Sequence, residues 1–232
     1  HSIYNFNTIG CIVQHNEAYG NTSTNPNDTD HGGFDADYQS QGTIIQYNYS
    51  HDNNWFCGIM RKGYNIDVTI RYNISQNEML GSYLYGFPSA VGVKDVKIYN
   101  NTHYFGKGKG TQVFVAAGKV RIPTETVFRN NIFYFEEEAN WGFEPDSTCL
   151  FENNMYYNLT PKGTDAISGN PLFLNPGTSD TNVNMQDAET LSEYKLQDNS
   201  PALNSGKIIK NNGGKNFGGE SLSKRSVNIG AW

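Results

Sequence analysis

The stretch GTIIQYNYSHDN, residues 42–53, reads Thr43-Ile-Ile45-Gln-Tyr-Asn48, and one coil later VTIRYNISQNE, residues 68–78, repeats it as Val68-Thr-Ile70-Arg-Tyr-Asn73. The same frame recurs in TIGCIVQHNEAYGN (8–21), VKDVKIYNNTHYFG (93–106), TETVFRNNIFYFEE (124–137) and STCLFENNMYYN (147–158). Its fixed point is an asparagine at Asn16, Asn48, Asn73, Asn101, Asn131 and Asn154, with gaps of 32, 25, 28, 30 and 23 residues. Three positions earlier stands Val13, Ile45, Ile70, Ile98, Phe128 or Phe151, and five earlier Cys11, Thr43, Val68, Val96, Thr126 or Cys149. Two inward residues separated by one outward residue are strand periodicity, and a turn follows at the Asn. A unit this short cannot close a core alone, but stacked units can, each strand pairing in parallel with its equivalent at about 4.8 Å. The spacing predicts an all-β chain, a right-handed parallel β-helix of about six turns over 1–159. An irregular C-terminal cap of the same domain, rich in Gly, Asn and Ser, fills 160–232. The turn Asn is expected to take left-handed backbone angles and to pass amide hydrogen bonds up the stack. That places Asn48 and Asn73 inside, so their matches to the glycosylation pattern carry no sugar.

Composition agrees. The 232 residues hold 30 Asn, 24 Gly and 15 Tyr, which disfavour helix interiors and favour turns and strands. Seventeen Lys and Arg against 23 Asp and Glu give a net charge of −6, which argues against nucleic acid as a partner. No apolar run reaches the roughly 20 residues of a membrane helix. Cys11, Cys57 and Cys149 fit no zinc spacing and are expected as free, buried thiols.

The turns GTIIQYNYSHDN and VTIRYNISQNE resemble bacterial parallel β-helix proteins of the pectate-lyase-like superfamily. The tail segments GNPLFLNP, YKLQDNSPALNSG and SVNIGAW resemble the closing segment of its secreted members. The resemblance implies a carbohydrate-active protein, secreted or at a bacterial cell surface, with a polysaccharide as partner and no organic cofactor. Such proteins usually open with a capping element, whereas this chain opens within a turn at HSIYNFN, so preceding sequence or a partner is expected there.

Candidate chemistry gathers in the longest gap of the ladder. In Gly33-Phe34-Asp35-Ala36-Asp37 acids alternate with apolar residues, so inward Phe34 and Ala36 put Asp35 and Asp37 on one outer face. Asp28, Asp30 and His31 lie just upstream, His31 as a candidate substrate-binding residue. If Ile59 stacks on Phe34 and Met60 on Asp35, Lys62 falls beside Asp37 with Arg61 adjacent. Tyr83 and Tyr85 flank Leu84; with Leu84 inside, they and Trp141 are candidate sugar platforms. Three readings follow. GGFD resembles the Asp-Asp-Gly-Phe-Asp calcium loop of family 9 polysaccharide lyases, with Gly33, Phe34 and Asp35 matching and His31 and Gly32 where that loop has two Asp. It implies Ca²⁺ on Asp30, Asp35 and Asp37, with Lys62 or Arg61 abstracting a proton in β-elimination on a uronate glycan. Alternatively Asp35 and Asp37 are the carboxyl pair of a glycoside hydrolase. The third reading is a surface that binds sugar without cleaving it. The favoured expectation is the lyase.

Overall fold

The computed structural model describes residues 3–25, 30–60, 63–86, 92–115, 122–179, 181–187 and 189–232. Three parallel sheets wrap one lumen. Sheet A holds Ile3–Asn5, Gly32–Ala36, Trp55–Met60, Gly81–Gly86 and Gln112–Phe114. Sheet B stacks Ile12–Gln14, Ile44–Gln46, Asn65–Arg71, Val93–Tyr99, Thr126–Arg129 and Leu150–Glu152, with Ser40–Gln41 beside Asn65. Sheet C runs from Glu17–Tyr19 through Tyr49–His51, Ile74–Gln76, Thr102–Phe105, Ile132–Ala139 and Met155–Leu159 to Ile167–Ser168. Sheet A ends one coil before the others, so the six corners of the ladder overcount the closed coils.

The corner between sheets B and C is the asparagine ladder. Each side-chain oxygen accepts both the backbone N–H and the Nδ2 of the asparagine one coil earlier: Asn101 Oδ1 from Asn73 at 3.1 and 2.9 Å, Asn131 Oδ1 from Asn101 at 3.1 and 3.0 Å. Each Nδ2 from Asn48 onward also donates to a carbonyl of the preceding coil, at Val13, Ile45, Ile70, Ile98 and Phe128, 2.9 Å in every case. The expected left-handed angle belongs to a different residue. It falls one position before the ladder, on His15, Tyr47, Tyr72, Asn100, Asn130 and Asn153, with φ between 49° and 56°. The ladder Asn is spared because its side chain must point inward along the stack. Those outward neighbours stack in turn: His15 on Tyr47 at 5.4 Å, Tyr47 on Tyr72 at 5.9 Å, then Asn153 to Asn130 to Asn100 by amide bonds.

Inside the lumen the predicted apolar column is continuous, Val13 over Ile45, Ile70, Ile98, Phe128 and Phe151, each at most 8% exposed. The three cysteines are free, Cys57 buried and the other two half-buried. The C-terminal segment lies along a flank. Phe173, Leu191, Tyr194, Ala202, Ile229, Ala231 and Trp232 pack on Tyr49, Ile74, Tyr104, Ile132 and Met155, the outward apolar residues of sheet C on five successive coils. These outward residues are why the tail takes that route: a sheet apolar on both faces needs a second cover.

Candidate active site

The strand Gly32–Ala36 carries the candidate site. Phe34 and Ala36 enter the core, which turns Asp35 to the outer face, yet Asp35 is only 1% exposed. It lies over Gly58, its register partner on the next coil, and a Cβ at Gly58 would stand 2.8 Å from Asp35 Oδ1. A bare backbone at that position makes room for the carboxyl. Burial, and then the charges of Asp37 and Asp30, hold its pKa well above the carboxylate range. Asp37, just past the strand, is half-buried. Its backbone N–H donates to Asn5 O at 3.2 Å, and its Oδ1 accepts the Tyr38 N–H at 2.7 Å. Burial and the Asp30 charge raise its pKa, against that hydrogen bond. The Tyr38 hydroxyl is pushed up to about 12 by burial and the charges of Asp37, Asp35 and Asp30. Asp30 is exposed, and His31 is half-buried at the entry to the strand, its carbonyl accepting the Asn54 N–H at 2.9 Å.

Register departs from the expected stacking by two residues. Phe34 pairs with Cys57, Asp35 with Gly58 and Ala36 with Ile59. The cause is an insertion: Ala36 and Ser40 are four positions apart, whereas their partners Ile59 and Asn65 are six apart. Equal counting back from the ladder therefore misaligned Met60 with Asp35. Arg61 and Lys62, expected as the base, lie outside the described residues.

Tyr83 and Tyr85 point the opposite way from the expectation. Both are at most 1% exposed and belong to the lumen, where Tyr83 Oη pairs with His103 Nε2 at 2.9 Å and Tyr85 Oη with Thr126 Oγ1 at 2.8 Å. Leu84 takes the outer side, packed with Trp55, Met60 and Val115. Neither tyrosine offers a ring to a sugar, because each phenol has its hydrogen-bond partner inside. Trp141 is 7% exposed and packs on Phe114, Phe133, Phe151 and Tyr156, its Nε1 donating to Thr160 O at 2.9 Å. Its ring is core as well.

Beside the candidate carboxylates stand residues the sequence reading passed over. Tyr4 pairs in register with Asp35, and Phe6 follows two residues on. They are 57% and 53% exposed, with Asn5 between them buried. Phe6 stands edge to face with Tyr38, ring centres 6.3 Å apart, and a cavity of about 470 Å³ is lined by Phe6, Tyr38, Gln39 and Gly63. The signal was there in the alternation Tyr4-Asn5-Phe6, but it falls outside the six segments that the asparagine frame aligns.

A second titratable cluster is sealed in the lumen. Glu78 is fully buried, accepting Ser50 Oγ at 2.5 Å, Ser75 Oγ at 3.2 Å and the Asn53 N–H at 2.8 Å. Asn53 Oδ1 in turn accepts the Asn21 N–H at 3.0 Å, so Glu78 completes a second, shorter ladder. Burial lifts its pKa to about 7 despite those donors. His103, also enclosed, is lowered to about 3 by burial.

The chain is 29% identical over 217 residues to Lacto-N-biosidase of Bifidobacterium longum subsp. longum, a match covering 85% of this chain and 13% of that protein. By structure it resembles pectate lyase Pel9A, with a TM-score of 0.54 at 16% identity, over 99% of this chain and 63% of the lyase. The chain thus spans a small part of the glycosidase and under two thirds of the lyase. No family profile matches it. The fold is a pectate-lyase-like parallel β-helix.

Proposed function

We propose that this is a carbohydrate-active β-helix in which Asp35 and Asp37 hydrolyse a glycosidic bond. The observation carrying the proposal is a pair of carboxyl groups, two residues apart on one face, in unlike surroundings. Asp35 is buried, with its pKa raised well above the usual carboxylate value, while Asp37 is half-buried next to Tyr38, which lines the cavity. Such a division supplies an acid and a carboxylate from one residue type. Asp35 gives its proton to the departing glycosidic oxygen as the bond to the anomeric carbon breaks. Asp37 either takes a proton from the attacking water, inverting the centre, or bonds to the carbon itself, to be displaced by water whose proton returns to Asp35. The likeness to a glycosidase supports this reading, since it covers most of the chain.

The lyase reading is supported by the fold and by Gly33-Phe34-Asp35. Its calcium fits these residues poorly. Burial disfavours the charged form of Asp35 that a cation would need, Asp37 Oδ1 is engaged by the Tyr38 N–H, and among the described residues no group of three His, Cys, Asp or Glu is disposed to hold an ion.

The test uses p-nitrophenyl β-lacto-N-bioside and polygalacturonate. Release of nitrophenol, reduced about 10²–10⁴-fold in Asp35→Asn and in Asp37→Asn, is expected. Calcium-dependent ultraviolet absorbance of an unsaturated uronate, with no nitrophenol, would favour the lyase. Retention of both glycans without cleavage would leave a binding module.

A further inference from the structure

We infer that Tyr4 and Phe6 form a two-ring platform for consecutive pyranose rings of a neutral glycan, which crosses the carboxylates along the strand Ile3–Asn5 and not up the coil axis. The inference rests on the proposal that Asp35 and Asp37 act on a glycan.

Large aromatic side chains are ordinarily buried, and most in this chain are. Tyr4 and Phe6 are more than half exposed. With Asn5 turned inward, both rings share the outward face, their Cα atoms about 7 Å apart. Tyr4 lies level with Asp35, and the Asp37 N–H bond to Asn5 O brings Phe6 level with Asp37. Each carboxyl therefore has one exposed ring beside it. The C–H face of a pyranose covers such a ring, and successive sugars in a glycan can meet both.

The direction follows from what lies on the other side. Going up the coils from Asp35, the outward residues are Gly58 and Leu84, with Trp55, Met60 and Val115 around them. Trp55, Met60, Leu84 and Val115 are at most 2% exposed. These side chains offer a sugar ring less surface than Tyr4 and Phe6, which stand exposed beside the cavity of about 470 Å³ that Phe6 lines. Charge selects the ring. Asp30 is exposed and its charge raises the proton affinity of both Asp35 and Asp37, so a uronate would add a like charge where a neutral sugar adds none.

The experiment is calorimetric titration of the intact protein, and of Tyr4→Ala, Phe6→Ala and Phe6→Tyr, with lacto-N-biose, cellobiose, chitobiose and digalacturonate. At least one neutral disaccharide should bind, weakened about tenfold or more by either alanine and restored by Phe6→Tyr, with digalacturonate silent. Because both rings are exposed, the alanine variants should fold as the parent does. Unchanged disaccharide affinity in both alanine variants, beside an inactive Asp37→Asn, overturns the platform and leaves the hydrolase standing. Full activity in Asp35→Asn and Asp37→Asn fells the hydrolase instead. Failure of all three neutral disaccharides to bind, or preferential binding of digalacturonate, also overturns the inference.

Discussion

The backbone N–H and the side-chain Nδ2 of Asn48 both donate to one atom, Asn73 Oδ1, at 3.0 Å each. Asn73 repeats the relationship toward Asn101, so every inner rung is bonded above and below with no solvent contact. Removing a rung strands its neighbour's donors, and a buried unsatisfied donor costs about 1–3 kcal/mol. Asn73→Ala is expected to cost on the order of 3–5 kcal/mol, since two donors and Ile45 O lose their partner together. Asn16→Ala, at the half-buried first rung, should cost about 1 kcal/mol or less. Urea unfolding of the two variants compares them directly.

Glu78 and His103 set opposed pH dependences. Glu78 has a folded pKa raised to about 7, so its contribution is fully present below the unfolded value of 4.5 and is lost as pH climbs through 7. His103, lowered to about 3, works the other way, its penalty growing as pH falls from 6.5 toward 3. Where these windows overlap, from pH 4.5 to 6.5, the two slopes offset each other. Glu78→Gln should expose the histidine slope alone, with stability rising from pH 4.5 to 6.5, on the order of 3 kcal/mol relative to the parent's trend. Parallel denaturant curves across that range read it out.

Gly58 is expected to matter for catalysis more than for folding. Its added methyl in Gly58→Ala meets Asp35 Oδ1 at 2.8 Å and Met60 Cε at 3.0 Å, so the carboxyl must move. Displacing an acid by an ångström costs about 10²-fold. Turnover of the chromogenic glycoside should fall by that order, while stability falls by about 1–2 kcal/mol.

Tyr83→Phe removes the phenol facing His103 Nε2, and Tyr85→Phe the one facing Thr126. Each should cost about 1–2 kcal/mol in thermal or chemical unfolding and leave glycan affinity unchanged.

Where the residue pattern was informative, one face of the chain carried it. In sheet B, Ile45, Ile70 and Ile98 alternate with polar Gln46, Arg71 and Thr69 or Lys97, so inside and outside differ in chemistry. The central strands of sheet A, Gly32–Ala36, Trp55–Met60 and Gly81–Gly86, are buried on both sides, and there Tyr83-Leu84-Tyr85 alternates one apolar residue with another. Choosing Leu84 as the inward residue was therefore a choice between equals, and hydrogen bonding to His103 and Thr126 decided it. Phe34 and Ala36 did mark Asp35 as outward. Its burial depends on what covers that face, which is tertiary and leaves no trace in five residues. The two-residue insertion before Asn65 was equally invisible, because the ladder fixes register only near its own corner.

A stack of coils held solely by nearest neighbours peels from its ends, each coil opening at its own small cost. The tail laid across sheet C touches five coils at once, from Tyr49 to Met155. It acts as a splint: none of these five coils can come away without first lifting a strip that they share, so the opening of one is converted into one concerted transition.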